Sequence, residues 1–557
     1  ERSGGLWSDV GSVVPGLAQQ VAVMRAGTTA AEEVAAAAVE AVRPAESIDL
    51  DVDGQALDLA AIAAAADPLD RLVAQLASAR ARLDDATDTW VLPALRSRVA
   101  RVDSALVEAM DAVELAATGA RAVPDLLGHD APRRYLVLLT THAEARSFTG
   151  FPGNYAVLRF DDGDFSLEEF GRSGDINERL PDSGVEFVDL DEYVEHYAEF
   201  GVAEDWRNVP ISPDFPTVAR AASQMYAAGG GTPVDGAMSM DTTVLAALLT
   251  FTGRIEVPDT DVELGRRTAE QFLLLDQYVD LEADSDDRVD ALETVAKTAL
   301  ERLERSDIPG IGDLRRVLGP LIADRHLQFV SFDGGSDFLD AVDLSGRVAP
   351  VDGDYLSIST TNASGNKLDQ FVRQDVDYRV DWDPRSGRIS ATATITLVND
   401  APDGGLPDYV IGSSLPTPQP LGSTRTYVSV YTPWRLVSAT LDGERVGLRS
   451  DVEFDRSAYR TMVPVGSGER GVLTLELEGS LVAGEPYHLF VQPQPSVRPG
   501  IFGVQIASTE PLDARSVVGP ACVPERALLR CEPGPSTTPI EVQVAAENPG
   551  VSTPEEK

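Results

Sequence analysis

Residues 133–158 read RRYLVLLTTHAEARSFTGFPGNYAVL, and this stretch decides how the middle of the chain folds. Residues 135–139 are a short apolar run with polar neighbours, which is typical of a buried strand. Residues 155–158 are apolar again and predict a second strand that closes the unit. The stretch therefore predicts two strands of an internal sheet with a polar, glycine-bearing connection between them.

The connection between these strands is the best candidate for a ligand site. Glu144 and Arg146 lie two residues apart, and Gly150 and Gly153 follow them. Glycines let backbone N–H groups approach a ligand, and a guanidinium group offers a planar fork of donors to phosphate or carboxylate. The pattern suits an anion site. From spacing alone, however, a local ion pair of Arg146 with Glu144 is the favoured explanation, with the glycines serving only the turn.

The composition is that of a folded, acidic protein with several domains. The chain has 557 residues, too many for one core, and 43% of them are hydrophobic, too many for a disordered chain. Its formal net charge of −44 repels phosphate backbones, so nucleic acid is not an expected partner. The lysines are Lys297, Lys367 and Lys557, and all other basic residues are arginine. This usage resembles that of high-GC bacteria such as actinobacteria, with a halophile as the alternative source.

The cysteines and the chain ends indicate an extracytoplasmic protein. Cys522 and Cys531 lie close together in a Pro-rich segment and predict a local disulfide. No apolar run approaches the roughly 20 residues that span a membrane. Because the sequence starts at Glu1 and not at methionine, we expect that an upstream signal or membrane anchor has been removed.

Residues 1–130 are predicted to form a helical hairpin or stalk. Apolar residues recur at three- and four-residue spacing in two segments, Leu69, Leu72, Val73, Leu76, Ala79 and Leu83, then Val99, Val102, Leu106, Met110 and Val113. Packing of the two helices explains this stripe, and partner binding is the alternative. Residues 49–54, DLDVDG, imitate a calcium loop, but Ala60 stands where a bidentate carboxylate is needed, which favours a solvent-facing hairpin.

The remaining chain divides into three parts. Residues 131–346 alternate strands with helices and predict an α/β domain. Residues 347–510 alternate apolar with polar residues, which predicts an antiparallel β-sandwich. Residues 511–557 are expected to be a disulfide loop and a linker tail. The fold class is therefore multidomain α+β.

The sequence gives little support to several well-known classes of enzyme. The five histidines are scattered along the chain, and there is neither a Gly-x-Ser-x-Gly elbow nor a phosphate-binding P-loop. Glycosidase carboxylates stay open, because an acidic chain offers many pairs. Asp287 and Arg288 belong to a mixed-charge cluster at a predicted helix start, where capping is the simpler explanation. Arg266 and Arg267 form a short basic pair, for which a solvated face is the ordinary interpretation.

An ordered series of motifs resembles a bacterial family of unknown function, DUF4012. The series consists of RYLVLL at 134–139, AEAR at 143–146, GFPG at 150–153, SPDFP at 212–216, VDG at 234–236, MD at 240–241, LLTFTG at 248–253, TNASGNK at 361–367 and LVNDAP at 397–402. It extends over most of the chain, and its fixed order makes it specific.

The middle domain of that family is similar, more distantly, to the LytR-CpsA-Psr phosphotransferases. Those enzymes transfer a phosphoglycan from a polyprenyl pyrophosphate carrier to peptidoglycan, using arginines, aspartates and Mg²⁺. The resemblance implies an apolar lipid groove between sheet and helices. It implies catalytic or pyrophosphate-binding roles for Arg146, Asp235, Arg266, Arg267 and Arg288. It further implies Mg²⁺ at Asp241 or Asp287.

Together these observations predict an extracytoplasmic, membrane-anchored cell-envelope protein with a LytR-CpsA-Psr-like central domain. Its expected function is to bind or transfer a polyprenyl-(pyro)phosphate-linked glycan, with Glu144, Gly150 and Gly153 at the ligand. One alternative is a non-catalytic surface protein that assembles with the wall, with other subunits or with copies of itself. The other is a wall-glycan phosphodiester hydrolase that uses the same site.

Overall fold

The computed structural model describes residues 58–87, 92–257, 260–280, 286–305, 310–417 and 419–546, with six isolated positions between residues 23 and 36. The predicted hairpin at 49–54 lies outside the described residues. The described chain has mixed α/β architecture, with one helical hairpin and several sheets.

The first described unit is a hairpin of two long helices, preceded by a short helix. The short helix is α1 (Leu59–Ala64), and the long helices are α2 (Ala66–Thr87) and α3 (Pro93–Leu126). The predicted apolar stripe packs between α2 and α3, where Leu76 and Leu106 are buried. The ion pairs Arg80–Asp103 and Arg121–Asp70 show that α2 and α3 are antiparallel. None of the helices in the described part of the chain is long and apolar enough to cross a membrane.

A five-stranded sheet forms the centre of the next unit, in the order β3-β2-β1-β4-β7. Its strands are β1 (Arg133–Ala145), β2 (Gly150–Asp161), β3 (Asp164–Arg172), β4 (Gly236–Asp241) and β7 (Leu327–Ser331). β1 and β4 are parallel, and the other neighbours are antiparallel. A short antiparallel pair, β5 (Ile255–Glu256) and β6 (Glu263–Leu264), lies outside this sheet.

Helices cover both faces of the sheet. They are α4 (Ser173–Asn177), α5 (Asp191–Tyr197), α6 (Phe215–Ala228), α7 (Thr242–Thr252), α8 (Arg266–Gln271), α9 (Gln277–Asp280), α10 (Asp286–Arg305), α11 (Ile311–Ala323) and α12 (Ser336–Ala341). Short 3₁₀ segments at Ala198–Phe200 and Trp206–Ile211 and a π-helical turn at Phe272–Asp276 complete the layer.

The apolar run of β1 is explained by burial on both of its faces. Leu136 and Leu138 pack in a core with residues of α6, whereas Val137 packs on the other face with Leu300 of α10. A strand covered on both sides reads as a continuous apolar run. The prediction of a buried strand is confirmed. However, β1 continues to Ala145, so Glu144 lies in the strand and not in the predicted loop, which is shortened to residues 146–149.

The C-terminal unit contains an eight-stranded and a seven-stranded sheet. Its elements are β8 (Asp354–Asn362), a 3₁₀ turn (Asp369–Phe371), β9 (Val372–Trp382), β10 (Arg388–Asn399), α13 (Asp408–Ile411), β11 (Thr424–Thr432), β12 (Arg435–Leu441), β13 (Glu444–Arg445), β14 (Arg449–Glu453), β15 (Arg456–Val465), β16 (Arg470–Ser480), β17 (Tyr487–Gln492), β18 (Gly500–Ser508), β19 (Leu512–Val518), β20 (Cys522–Glu525), β21 (Leu528–Ser536) and β22 (Ile540–Ala546). Residues from both sheets share one apolar core.

The far end of this unit differs from the expected linker. Strands β19 to β22, which span residues 512–546, pair within the two sheets. The predicted disulfide is present and joins Cys522 of β20 to Cys531 of β21, which are paired residues of neighbouring strands. The disulfide therefore belongs to a hairpin at the edge of the eight-stranded sheet.

Candidate functional site

The candidate site lies where β1 and β4 end. These strands are parallel, with Thr140 beside Asp241, so their carboxyl ends meet at one edge of the sheet. Polar side chains are buried at this edge, among them His142, Glu144 and Arg146. Buried polar groups need partners, so their contacts define what this edge can do.

The first feature is an ionic cluster formed by Glu144, Arg146 and Lys367. Arg146 donates from Nη2 to Glu144 Oε1 at 2.8 Å, and Lys367 Nζ donates to the other carboxylate oxygen. The three side chains are at most 8% exposed. Burial alone would raise the pKa of Glu144, but the two cations lower this pKa to about 2. Two cations thus share the Glu144 carboxylate in a setting that screens charge weakly.

Lys367 reaches the cluster from the C-terminal unit. It belongs to the connection between β8 and β9, as does Asp369, which accepts a hydrogen bond from the Ala145 amide at 2.9 Å. Burial lowers the pKa of Lys367, but Glu144, Tyr278 and Tyr409 together outweigh this, so its pKa is raised and it is charged at neutral pH. Burial raises the pKa of Asp369 to about 6, so part of its population is protonated near neutral pH.

An apolar groove of about 210 Å³ opens beside this cluster, between the sheet and helices α7, α9 and α10. Its apolar wall consists of Leu139, Phe151, Leu245, Leu273, Tyr278, Ala296 and Tyr409. Lys367 also lines the groove, and its Nζ lies 4.6 Å from the centre of the Phe151 ring. Arg146 lies 5.4 Å from the same ring centre. The cationic residues therefore face an aromatic ring of the groove wall.

The two predicted glycines have different roles. A Cβ atom at Gly150 would lie 2.1 Å from the Thr141 carbonyl oxygen, so the backbone packing of β1 and β2 requires glycine there. A Cβ atom at Gly153 would meet nothing within 4 Å, and Gly153 lines the groove. Gly150 is thus structural, whereas Gly153 leaves space in the groove.

The second feature is a histidine–aspartate cluster formed by His142, Asp241 and His326. The Asp241 Oδ2 atom lies 2.7 Å from His142 Nε2 and is also in contact with His326 Nδ1. Asp241 Oδ1 accepts from the amides of Thr243 and Val244 at 2.8 and 3.0 Å, which caps helix α7. Both carboxylate oxygens are therefore engaged, and the residue is fixed from two directions.

The charges of this second cluster follow from its burial. Burial alone would raise the pKa of Asp241, but the imidazoles of His326 and His142 hold this pKa well below its usual value. Burial lowers the pKa of His326, but the carboxylates of Asp241, Asp324 and Glu270 together outweigh this, so its pKa is raised. Asp241 is therefore ionised and attracts cationic partners.

Several predicted site residues lie elsewhere. Asp235 precedes β4, accepts from the Arg134 amide at 2.7 Å and lies beside Arg133, at the opposite edge of the sheet from Asp241. Arg266 and Arg267 are exposed at the start of α8, outside the groove lining.

Asp287 and Arg288 lie in α10, and their side chains are outside the described part. The structure therefore brings Glu144, Arg146 and Gly153 together. The expected convergence of Arg146 with Asp235 does not occur.

Sequence reasoning missed His142, His326, Lys367 and Asp369. The histidines looked scattered because 184 residues separate them, yet the rings lie 5.5 Å apart. One signal was available for Lys367, since this arginine-rich chain has three lysines and one of them lies inside the motif TNASGNK.

Comparison with known proteins gives a family match for one part of the chain. Residues 130–278 match the family model described as "Protein of unknown function (DUF4012)", in agreement with the resemblance seen in the sequence. No curated protein matches the chain. Solved structures with some likeness include an M1 zinc metallopeptidase from Deinococcus radiodurans, with 14% identity, a TM-score of 0.19, and coverage of 31% of this chain and 42% of that one. Native leukotriene A4 hydrolase from Saccharomyces cerevisiae has 11% identity, a TM-score of 0.21, and coverage of 31% and 29%. The chain spans less than half the length of either, and TM-scores this low carry no inference about fold or function.

Proposed function

We propose that this chain is an extracytoplasmic cell-envelope protein that binds a polyprenyl-(pyro)phosphate-linked glycan and transfers it to the cell wall. The prenyl chain would lie in the apolar groove, and the phosphate would contact Lys367. The observation that carries this proposal is the position of Lys367, which lines an apolar groove and belongs to a cluster of two cations around Glu144.

The charge of the ionic cluster favours an anionic ligand. Glu144 neutralises one of the two cations, so Glu144, Arg146 and Lys367 together carry one formal positive charge. The cluster is therefore positive within a chain whose formal net charge is −44. A phosphate oxygen would contribute a charge-assisted hydrogen bond with Lys367.

The groove wall favours a hydrocarbon chain on that anion. Aliphatic and aromatic side chains form it, and each buried CH₂ group of a ligand would contribute about 0.8 kcal/mol. A small hydrophilic anion would leave this wall in contact with water. An amphiphile, with an anionic head and an apolar tail, fits both parts of the site.

For a transfer step, the chain's own contribution would be electrostatic. Arg146 and Lys367 would stabilise charge that develops on the leaving phosphate, because fixed cations in a dry site need no reorganisation. No step is assigned to Mg²⁺. Asp241 lies between two imidazoles, whereas Mg²⁺ prefers oxygen ligands and water, so this donor set does not fit it.

A non-catalytic surface protein is the second candidate. Glu144 contacts Arg146 of the central unit and Lys367 of the C-terminal unit, so in such a protein the cluster would hold the two units together.

For the domains, we propose a LytR-CpsA-Psr-like fold for residues 131–346, supported by the sheet with helices on both faces. We propose a β-sandwich for residues 347–510, supported by the core common to the two C-terminal sheets.

Binding of farnesyl pyrophosphate to the full chain tests the proposal, with native mass spectrometry or calorimetry as the readout. Lys367→Met keeps the side-chain length and removes the charge. Since a charge-assisted hydrogen bond contributes about 1.5–3 kcal/mol, we expect affinity to fall about 10- to 100-fold. The matched control is Lys297→Met, because Lys297 is exposed on α10. Failure of the wild type to bind, or equal affinities of the two variants, would contradict the proposal.

A second pair of variants tests the groove. Gly153→Leu places a side chain in the open space of the groove, whereas Gly447→Leu adds the same side chain where a Cβ atom also meets nothing within 4 Å. We expect Gly153→Leu to weaken binding of farnesyl pyrophosphate, and Gly447→Leu to leave it unchanged. Free inorganic pyrophosphate separates the head-group contribution. If it binds as tightly as the prenylated ligand, the groove has no part in binding.

A further inference from the structure

We infer that His142, Asp241 and His326 form a binding site for one transition metal ion of the zinc class. This inference does not depend on the lipid-linked ligand. One ligand atom from each residue takes part, and these atoms all lie within 4.8 Å of one another. Ligand atoms of one metal ion with bonds of about 2 Å lie within that span.

The three ligands come from three neighbouring strands. His142 is in β1, Asp241 ends β4, and His326 directly precedes β7, and the sheet order places β4 between the other two. β7 runs antiparallel to β4, with Leu327 paired to Met240, so the start of β7 meets the end of β4. Ligands held on adjacent strands of one sheet keep their geometry well.

The orientation of Asp241 also suits a metal ion. The amides of Thr243 and Val244 hold Oδ1, which leaves Oδ2 facing His142 Nε2 and His326 Nδ1. Such hydrogen bonds to a metal-binding carboxylate fix its direction and tune its basicity. One nitrogen of each imidazole therefore faces the same carboxylate oxygen, Oδ2.

The donor set selects the class of metal. Two imidazole nitrogens and one carboxylate oxygen suit zinc and its transition-metal neighbours, whereas Mg²⁺ and Ca²⁺ take oxygen ligands. The ligands are at most 5% exposed, and a divalent cation would compensate the buried Asp241 charge.

One of the three ligands, His142, borders a cavity. The cavity has a volume of about 50 Å³, and Ala145, Thr360 and Asp369 also line it. One water occupies about 30 Å³ in the liquid, so this cavity can hold one. Three protein ligands with a solvent ligand at the fourth position is the arrangement of zinc sites that bind or activate small molecules.

Zinc binding to the tag-free, chelator-treated full chain tests the inference. Titration against a chromophoric chelator should show one Zn²⁺ per chain, and millimolar Mg²⁺ should not compete. We expect His142→Gln to weaken zinc binding at least 100-fold. The matched control is His129→Gln, which removes an exposed histidine whose Nδ1 lies 2.8 Å from a single aspartate, Asp162. Less than one equivalent in the wild type, or equal loss in both variants, would overturn the inference.

X-ray absorption at the zinc edge keeps the test decisive even if His142→Gln does not fold. The zinc-loaded wild type should show two imidazole ligands and one or two oxygen ligands. A coordination shell without imidazole would place the zinc elsewhere and overturn the inference.

Discussion

Replacing Glu144 with glutamine removes the carboxylate shared by Arg146 and Lys367 and keeps the side-chain size. The pKa of Glu144 is about 2 in the folded chain against an ordinary value of 4.5, and this difference corresponds to about 3 kcal/mol at neutral pH. Breaking a buried ion pair from one side typically costs about 3–5 kcal/mol, in agreement with this value. We therefore expect Glu144→Gln to lower the free energy of unfolding by about 3 kcal/mol at pH 7.

The lowered pKa of Glu144 also determines how its contribution to stability changes with pH. Because the folded-state pKa is lowered, the contribution of Glu144 is fully present above pH 4.5 and is lost as the pH falls towards 2. Urea unfolding, followed by tryptophan fluorescence, should show a gap between wild type and Glu144→Gln that shrinks over this window.

The matched control is Glu168→Gln, whose carboxylate pairs with Arg134 at 2.7 Å but is about one-third exposed. Such surface pairs contribute at most about 1 kcal/mol. A gap for Glu144→Gln no larger than that of the control at pH 7, or one that stays constant down to pH 2, would refute the reasoning.

Three further predictions concern stability. Burial raises the pKa of Asp354 from 3.8 to about 6, so wild-type stability should fall by up to about 3 kcal/mol as the pH rises through this window, and Asp354→Asn should remove that dependence in unfolding titrations. Gly150→Ala should lower the melting temperature by several degrees, because the added Cβ atom meets a backbone carbonyl, whereas Gly153→Ala should change it little; similar shifts would contradict the different packing of the two sites. Cys522→Ser should speed hydrogen exchange at β20 and leave exchange in the other strands unchanged, since the disulfide closes a separation of 9 residues at a sheet edge; faster exchange throughout the sheet would contradict this.

The strands at the site could be predicted from sequence because their signals are local. A strand that is buried on both faces has a continuous apolar run, as β1 does. The alternation of apolar and polar residues predicts β9 and β10, and the structure confirms these strands. The end of β1 was misplaced because its last residues are polar. Polar residues usually mark a loop, but here Glu144 is buried with partners from another part of the chain.

The composition of the site could be predicted only in part because its contacts are distant in sequence. Lys367 lies 223 residues from Glu144, and His326 lies 85 residues from Asp241. No local period links such positions, so their proximity depends on how the sheet orders its strands. Glu144 and Arg146 were found because they are neighbours in sequence, and their spacing alone favoured a local ion pair over a ligand site.

The part of the chain that matches the DUF4012 family contains two of the three residues of each cluster. Residues 130–278 include Glu144 and Arg146 but not Lys367, and they include Asp241 but not His326. The ionic cluster exists only where the central and C-terminal units are in contact, because Lys367 arrives from the β8–β9 connection. A fragment limited to the matched residues would leave Glu144 with one cation and Asp241 with one imidazole. Neither the lipid-anion site nor the metal site can therefore be judged on that fragment, and a relative that matches over this stretch alone shares these sites only if it also supplies the missing lysine and histidine.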